Sequence, residues 1–572
     1  MKKKTRLKII RILIAVALVL IISTGLIIYH ILGPMRSFFW NLPYLGGFLG
    51  SKTYLVLLQN NNELRPTGGF ITAVAEVGTT FGFTSVKVSD SYQIPDPSQK
   101  IPAPDPFNYF IGKSDPFFAG WTLRDANFSP DFAVSSRDII ELYHNAYPDK
   151  TIDGIVAIDF FVIEELLNLY GPITVEDTVF TSENFFIESQ RVSKNIDTHD
   201  PDQLAARKDI VKPFMEALKS TILHTPSQYG NFFRLISALG QEKHVMAYSS
   251  SDSFQAKLEE HGLSNTLHHS DQRSDFLHLN IANIGGRKAD RYVTKDIKYR
   301  ADFSDPNNHL SILTITFDHL GSYNIQSDIY QAYVRVYSPF GSQLVASSGS
   351  GLQSTKASTD LNLTVFSNLI RLRPGESTTL SYQYRLPDLI SPSDYRLHIV
   401  KQGGIQNQQW QVAVREENDT SMNNITALKE DITPLIIREN LALWKGEFIQ
   451  DLFFHVAQTD DSSGPIVLWQ QFEDLSTITI RFNEQIDTTT ALDPNNYLIL
   501  DLNEANSQTD EVTVEAVRFG GDEQRDLRLE VSGVTNQPEE HYQLTLRNIQ
   551  DREANPTEPS PLLRTLVQRI SE

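Results

Sequence analysis

The chain has 572 residues, too many for one hydrophobic core, and size alone suggests three or four domains. Its 50 basic and 70 acidic side chains give a formal charge of -20, which argues against nucleic acid as a partner because phosphate binding needs net basic surface. Cysteine is absent, which excludes a disulfide framework, a thiolate metal site and a thiol nucleophile.

The first eleven residues hold Lys2, Lys3, Lys4, Arg6, Lys8 and Arg11 and no acid. With those six set aside, 44 basic stand against 70 acidic side chains, a balance of -26. An apolar run follows from Ile12 to Tyr29, broken only by Ser23, Thr24 and Gly25, and extends to Leu32. About 20 such residues suffice to cross a bilayer as a helix, and the basic flank places the amino terminus in the cytoplasm. A cleaved signal peptide would have a shorter apolar region followed by an A-x-A-like site, and no such site follows this run. The expectation is a single-pass anchor in the cell membrane over 1–33, with the bulk of the chain extracellular.

Residues 34–50 read as a linker, with Phe38, Phe39 and Trp40 placed for an interfacial belt. An apolar strand from Tyr54 to Leu58 then breaks into Gln59, Asn60, Asn61, Asn62, Glu63 and Arg65. The turn Pro66-Thr67-Gly68-Gly69 follows, and a second strand starts at Phe70. Ligand sites often form at such strand ends; amides that cap their own turn are the alternative. A further strand over 85–88 runs to Asp90, and the prolines of 94–118 predict an excursion loop.

Ser129-Pro130-Asp131 reads as a cap, a first helical proline and an early acid, opening a helix that ends near Tyr147. A buried strand over 155–158 ends at Asp159, a cap for a helix with Phe160, Ile163, Leu166, Leu167 and Tyr170 on one face and Gly171-Pro172 at its exit. Strand and helix alternate to about residue 265, so 51–265 is an α/β domain. Short strands at regular spacing then predict a β-sandwich over 270–415, a connector over 416–465 in which Leu435 to Leu443 reads equally as a strand, and a second β-sandwich over 466–565.

Three phrases, LLQNNNELRPTGGFI, WTLRDANFSPDF and DGIVAIDFFVIEELLNLYGPI, closely resemble the extracellular bacterial domain-of-unknown-function family 4012. IANIGGRKADRYV at 281–293 looks like the start of that family's β-rich second half. More distantly, the layout is similar to the LytR-CpsA-Psr family. Those membrane-anchored enzymes use magnesium to move glycopolymers from a polyprenyl-pyrophosphate carrier to the cell wall. That resemblance implies a LytR-CpsA-Psr-like α/β domain, with the family's acidic strand end at Asp90 and its pyrophosphate-gripping cations at Arg207 and Lys208. Here amides stand where the enzymes carry aspartate, and amides bind magnesium weakly. The last module, with its YQLTLRNIQDREANP ending, resembles the immunoglobulin-like modules of bacterial surface proteins.

Transfer chemistry would need cations on a diphosphate and a carboxylate or metal to organise attack. Arg65, Asp90 and Glu63 are the catalytic candidates, and Asp90 is the candidate Mg2+ ligand. Asn60, Asn61, Asn62, Arg124, Asp125, Arg207 and Lys208 are the substrate-binding candidates; an internal salt bridge is the alternative for Arg124 and Asp125. Two functions follow. One is a membrane-anchored envelope protein that binds or processes a polyprenyl-pyrophosphate-linked glycopolymer or similar anionic substrate. The other is a noncatalytic surface or scaffold protein with a degenerate transferase-like domain. Enzyme status stays open between them, and an apolar groove leading to the 59–65 cluster is the expected seat of a prenyl chain.

Overall fold

A computed structural model describes Tyr29 and residues 31–567, apart from 96–103, 105–119, 193–210, 416–423, 428–434, 458–464, 502–510, 535–540, 552–555, 558–561 and gaps of three residues or fewer. The apolar run from Ile12 lies almost wholly outside the described residues, as do Arg207 and Lys208. Among the described residues no helix is long and apolar enough to cross a membrane.

The α/β domain is built on a mixed sheet. Its strands are β1 (Lys52–Asn60), β2 (Phe70–Thr80), β3 (Phe83–Asp90), β4 (Gly154–Asp159) and, after a small hairpin of β5 (Ile173–Val175) and β6 (Thr178–Phe180), β7 (Val245–Ser249). The order is β3-β2-β1-β4-β7. Only β1 and β4 run parallel; the other neighbours are antiparallel. The period of two along each strand sends side chains to alternate faces. Leu55, Leu57, Ile155 and Ala157 therefore pack under the helix Phe132–Ala146. Leu58, Val156 and Ile158 face the helices Phe160–Tyr170, Phe185–Val192, Val211–Leu223 and Tyr229–Gln241.

Local chemistry sets the helix ends. Asp159 caps the helix Phe160–Tyr170 through Oδ1, which accepts from the Val162 N–H at 3.3 Å. Gly171, at φ +87°, closes it in a conformation that favours glycine. The helix after Ser129-Pro130 starts two residues later than its sequence suggests. Asp131 is the cap, taking the Val134 N–H on Oδ1 at 2.9 Å and the Leu267 N–H on Oδ2 at 3.0 Å. One carboxylate thus satisfies a helix start and a distant loop together.

The expected linker is a docked element. Gly33–Asn41 forms a 3₁₀ turn and Leu42–Leu45 a short helix. Phe38 is buried against Phe254, with ring centroids 5.9 Å apart, and the Lys257 ammonium donates to Asn41 Oδ1 at 3.1 Å.

The sandwich is larger than its sequence suggests. Two seven-stranded sheets enclose one core. In one, Asp275–Asn283 lies antiparallel to Tyr330–Ser338 and parallel to Asp394–Val400. In the other, Val293–Asp302 lies antiparallel to Leu310–His319 and parallel to Gln409–Arg415. The stretch expected as a connector supplies Asn424–Ala427, Leu435–Arg438, Leu441–Glu447 and Leu452–Ala457 to these sheets. The reason is burial: Trp444 and Phe454 enter the same core as Tyr299 and Trp410.

From Val467 to Val567 seven strands form the last module around a core that includes Ile478, Ile480, Leu529 and Tyr542. Among the described residues Tyr497–Asp501 and Glu511–Phe519 pair at two positions, Ile499 with Val512 and Leu500 with Glu511. Val467–Asp474 and Leu562–Val567, absent from the expected set, are the sheet's two edges.

Candidate functional site

The polar stretch after β1 is where the two large domains meet. A register shift between Leu58 and Gln59 ends the regular ladder. Asn60 then closes its own turn, its Oδ1 accepting from the Asn62 N–H at 3.1 Å and the Asn62 side chain at 3.2 Å. Gln59 Nε2 and Asn127 Nδ2 both donate to the Thr67 hydroxyl, at 3.2 and 3.0 Å. Asn127 Nδ2 also reaches the Gly69 carbonyl at 2.8 Å. Gly69 admits this fold-back because a Cβ there would stand 2.4 Å from the Asn60 carbonyl.

Three of the expected site residues come together, and they do so out of solvent. Arg65 is 1 % exposed. Its Nε and Nη2 donate to Asp125 Oδ1 at 3.1 and 2.9 Å, and Nη2 also donates to Glu63 Oε1 at 3.1 Å. Nη1 donates to the Asn283 carbonyl of the sandwich. Burial pushes the Glu63 carboxyl above its ordinary range, and Arg65 pulls against that rise. A guanidinium engaged on every edge is a clasp between domains rather than an open anion grip. The expected salt bridge at 124–125 therefore forms differently: Asp125 pairs with Arg65, and the Arg124 guanidinium lies 4.6 Å over the Tyr92 ring.

Asp90 ends β3 and opens the turn Ser91–Gln93, whose Tyr92 ring lies 6.2 Å from that of Phe70. Asp90 Oδ1 accepts the Tyr92 N–H at 2.9 Å and caps that turn. Among the described residues no three His, Asp or Glu side chains gather as a metal set.

The rest of the stretch enters the sandwich. The Leu64 side chain joins the sandwich core, its N–H donates to Asp290 Oδ2 at 3.0 Å, and its carbonyl accepts from the Asn283 N–H at 2.8 Å. Gln402 Nε2 donates to the Arg65 carbonyl at 3.2 Å. A second set of charges bolts the same junction. Lys243 pairs with Asp451 at 2.7 Å, and Lys401 donates to the Glu242 carbonyl at 2.7 Å. Burial lowers the Lys401 ammonium to about 8, and Asp159 opposes the fall. Asp159 also meets His244 Nδ1 at 2.5 Å.

Beside the clasp lies an open polar cleft of about 850 Å³. From the α/β domain, Asn61, Asn62, Glu164, Ser182 and Glu183 line it. The sandwich contributes Asp290, Arg291, Lys295, Asp296 and Asp318, then Gln406, Gln408, Gln409 and Lys445. Five carboxylates thus face three cations. Burial raises the Glu164 carboxyl to about 7 against the pull of Arg291, so it is half-neutral near neutral pH. The Arg291 guanidinium lies 4.9 Å over the Phe186 ring. Gln408 is 5 % exposed, accepts from Trp410 Nε1 at 3.2 Å, and has a buried Nε2 donor without an acceptor among the described residues. Of the expected binding residues, Asn61 and Asn62 reach this cleft and Asn60 does not.

Sequence reasoning missed Glu164, Arg291, Gln408 and Lys445, because four separate segments bring them together. The single hint was the 281–293 phrase, which holds Asp290 and Arg291.

Residues 50–191 match DUF4012, a family of proteins of unknown function. No curated protein matches the chain. Among solved structures, the N-terminal part of the bacterial S-layer protein SbsC is 12% identical over 18% of this chain and 23% of that one, with a TM-score of 0.16. The chain thus spans under a quarter of that fragment. Lin1025 from Listeria innocua is 11% identical over 38% of this chain and 80% of that one, TM-score 0.22. The gbs0355 protein from Streptococcus agalactiae is 12% identical over 39% and 76%, TM-score 0.25. Likenesses this slight carry no functional argument.

Proposed function

We propose that the chain is a membrane-anchored envelope protein that binds a hydroxyl-rich glycopolymer in the cleft between its α/β domain and its sandwich. The observation that carries this reading is the lining of the cleft. Amides and carboxylates at a domain junction, with a buried Gln408 donor left over, suit sugar hydroxyls, which donate and accept at once. An excess of acids over cations disfavours a diphosphate there. Arg65, a catalytic candidate of the transfer reading, is committed to Glu63 and Asp125. The reading therefore keeps the envelope setting, moves the ligand from the carrier's pyrophosphate to its sugar chain, and assigns the Arg65 loop no transfer step.

The test is titration calorimetry of the full chain in detergent micelles with neutral and with phosphate-rich wall polysaccharide. Saturable binding of the neutral polymer, weakened at least about tenfold (~1.4 kcal/mol) by Gln406→Ala with Lys445→Ala, supports the proposal. Binding of the phosphate-rich polymer alone, or binding untouched by the double variant, refutes it.

A further inference from the structure

The α/β domain carries an aromatic surface that the cleft does not use. Trp40, Phe48, Leu49, Phe81 and Phe83 are each between 55% and 82% exposed. Two segments join in it. The Phe81 N–H donates to the Gly47 carbonyl at 3.2 Å, and the Gly82 N–H donates to the Gly46 carbonyl at 2.8 Å. The tip of the β2–β3 hairpin and the 46–49 turn therefore form one platform, with the Phe48 ring over Gly82. Trp40 sits on the docked turn that leads into it.

The hairpin tip is costly to the fold by itself. Phe81 at φ +50° and Gly82 at φ +82° form a two-residue loop with both residues left-handed. That loop favours Asn-Gly, and a bulky side chain at positive φ is strained. Phe81 leaves 66% of its surface in water there, apolar area that contact with a surface outside the chain would bury.

We propose that this platform inserts its aromatic side chains into the headgroup region of a lipid bilayer, so that the α/β domain stands on the membrane instead of trailing from a tether. The proposal rests on the anchored part of the reading above. The apolar run Ile12–Tyr29 ends at the platform's approach. The ring of Tyr29 lies 5.7 Å from that of Phe39, the neighbour of Trp40. Aromatic side chains concentrate at this depth because their bodies are apolar and their rims tolerate headgroups. The turn that links run and domain is held by Phe38 on Phe254 and by Lys257 on Asn41, so it cannot swing the platform away. The nine residues of β1 start beside the platform and end beside the cleft, which holds the cleft roughly 30 Å above the lipid.

The lack of cysteine allows a direct experiment with the full chain. Variants F83C, L49C and, as a control on the exposed sandwich residue Phe340, F340C are labelled with an environment-sensitive fluorophore. They are reconstituted in phosphatidylethanolamine–phosphatidylglycerol nanodiscs containing headgroup-proximal doxyl lipid. The expected result is a blue shift and at least twofold quenching at positions 83 and 49, with none at 340. Phe81→Asn should cut the quenching at 83 while raising the melting temperature, because it relaxes the turn. Incorporation without quenching at 83 and 49 overturns the platform and leaves the anchor standing. Protein that alkaline washing strips from lipid overturns the anchor and the platform together. Crosslinking between copies through position 83 without lipid quenching assigns the surface to a second copy and also overturns the proposal.

Discussion

Replacing Arg65 by methionine separates a clasp from a ligand grip. The substitution keeps much of the volume and removes a guanidinium that answers two carboxylates at 2.9 and 3.1 Å. Glu63 and Asp125 are each 7 % exposed and would be left as unpaired buried charges. Breaking a buried pair in this way costs about 3–5 kcal/mol. Glu63 already takes a proton more readily than usual because of burial, and without Arg65 that tendency grows. The folded variant then binds protons that the unfolded chain has released, so its deficit should deepen as pH rises from 5 to 8. Urea denaturation read by tryptophan fluorescence is suited to this: Trp410 and Trp444 lie in the sandwich core, and Trp121 lies 6.2 Å from Phe128 on the α/β side. The triple change Arg65→Met, Glu63→Gln, Asp125→Asn should recover most of the loss, since neutral groups need no counter-charge. An Arg65→Met protein with wild-type urea midpoints at pH 7.5 would refute the clasp and return Arg65 to the binding candidates.

Three further outcomes follow from the same junction and core. Gly69→Ala places a Cβ 2.4 Å from the Asn60 backbone. It should cost about 1–3 kcal/mol, read as a lower urea midpoint and faster proteolysis in the 60–70 loop. A double-mutant cycle of Lys243→Met and Asp451→Asn should give a coupling of about 1–3 kcal/mol; additive effects would remove the pair from the bolt. His278 is buried and donates through Nδ1 to the Val400 carbonyl at 2.9 Å, and burial holds its imidazole down at about 3. Between that value and the ordinary 6.5 the unfolded chain binds the extra proton, so stability should fall with falling pH by up to about 1.4 kcal/mol per unit. The denaturation slope of His278→Gln against pH should be shallower by that amount, and an unchanged slope would show that His278 is protonated in the fold.

The sequence disclosed the elements that repeat a simple period. Leu310–His319 alternates inward and outward along its length, and Asp159 with Gly171 brackets its helix as composition alone suggests. Strands without a buried face were invisible: Lys356–Asp360 is exposed throughout and offers no alternation to read. Outside 435–443 the 416–465 stretch hid its strands because each is short and is held by pairing with partners far away, as Leu452–Ala457 is with Asp394–Val400. The 59–65 cluster was legible as special and misleading as to why. A dense polar turn looks alike whether it awaits a ligand or another domain. Only the positions of Asn283, Asp290 and Gln402 distinguish the two, and no local pattern encodes those.

The clasp also imposes a timetable on biosynthesis. Arg65 and Asn61 find Gln402 and Gly404 across 337 and 343 residues of chain. At ordinary translation rates the first partner waits roughly 20 to 70 s for the second. Through that interval the turn is held by its nearer partners alone, Asp125 in its own domain and then Asn283 and Asp290. A stop codon before residue 402 would therefore remove the turn's Gln402 and Gly404 contacts together with the core residues Trp410 and Trp444.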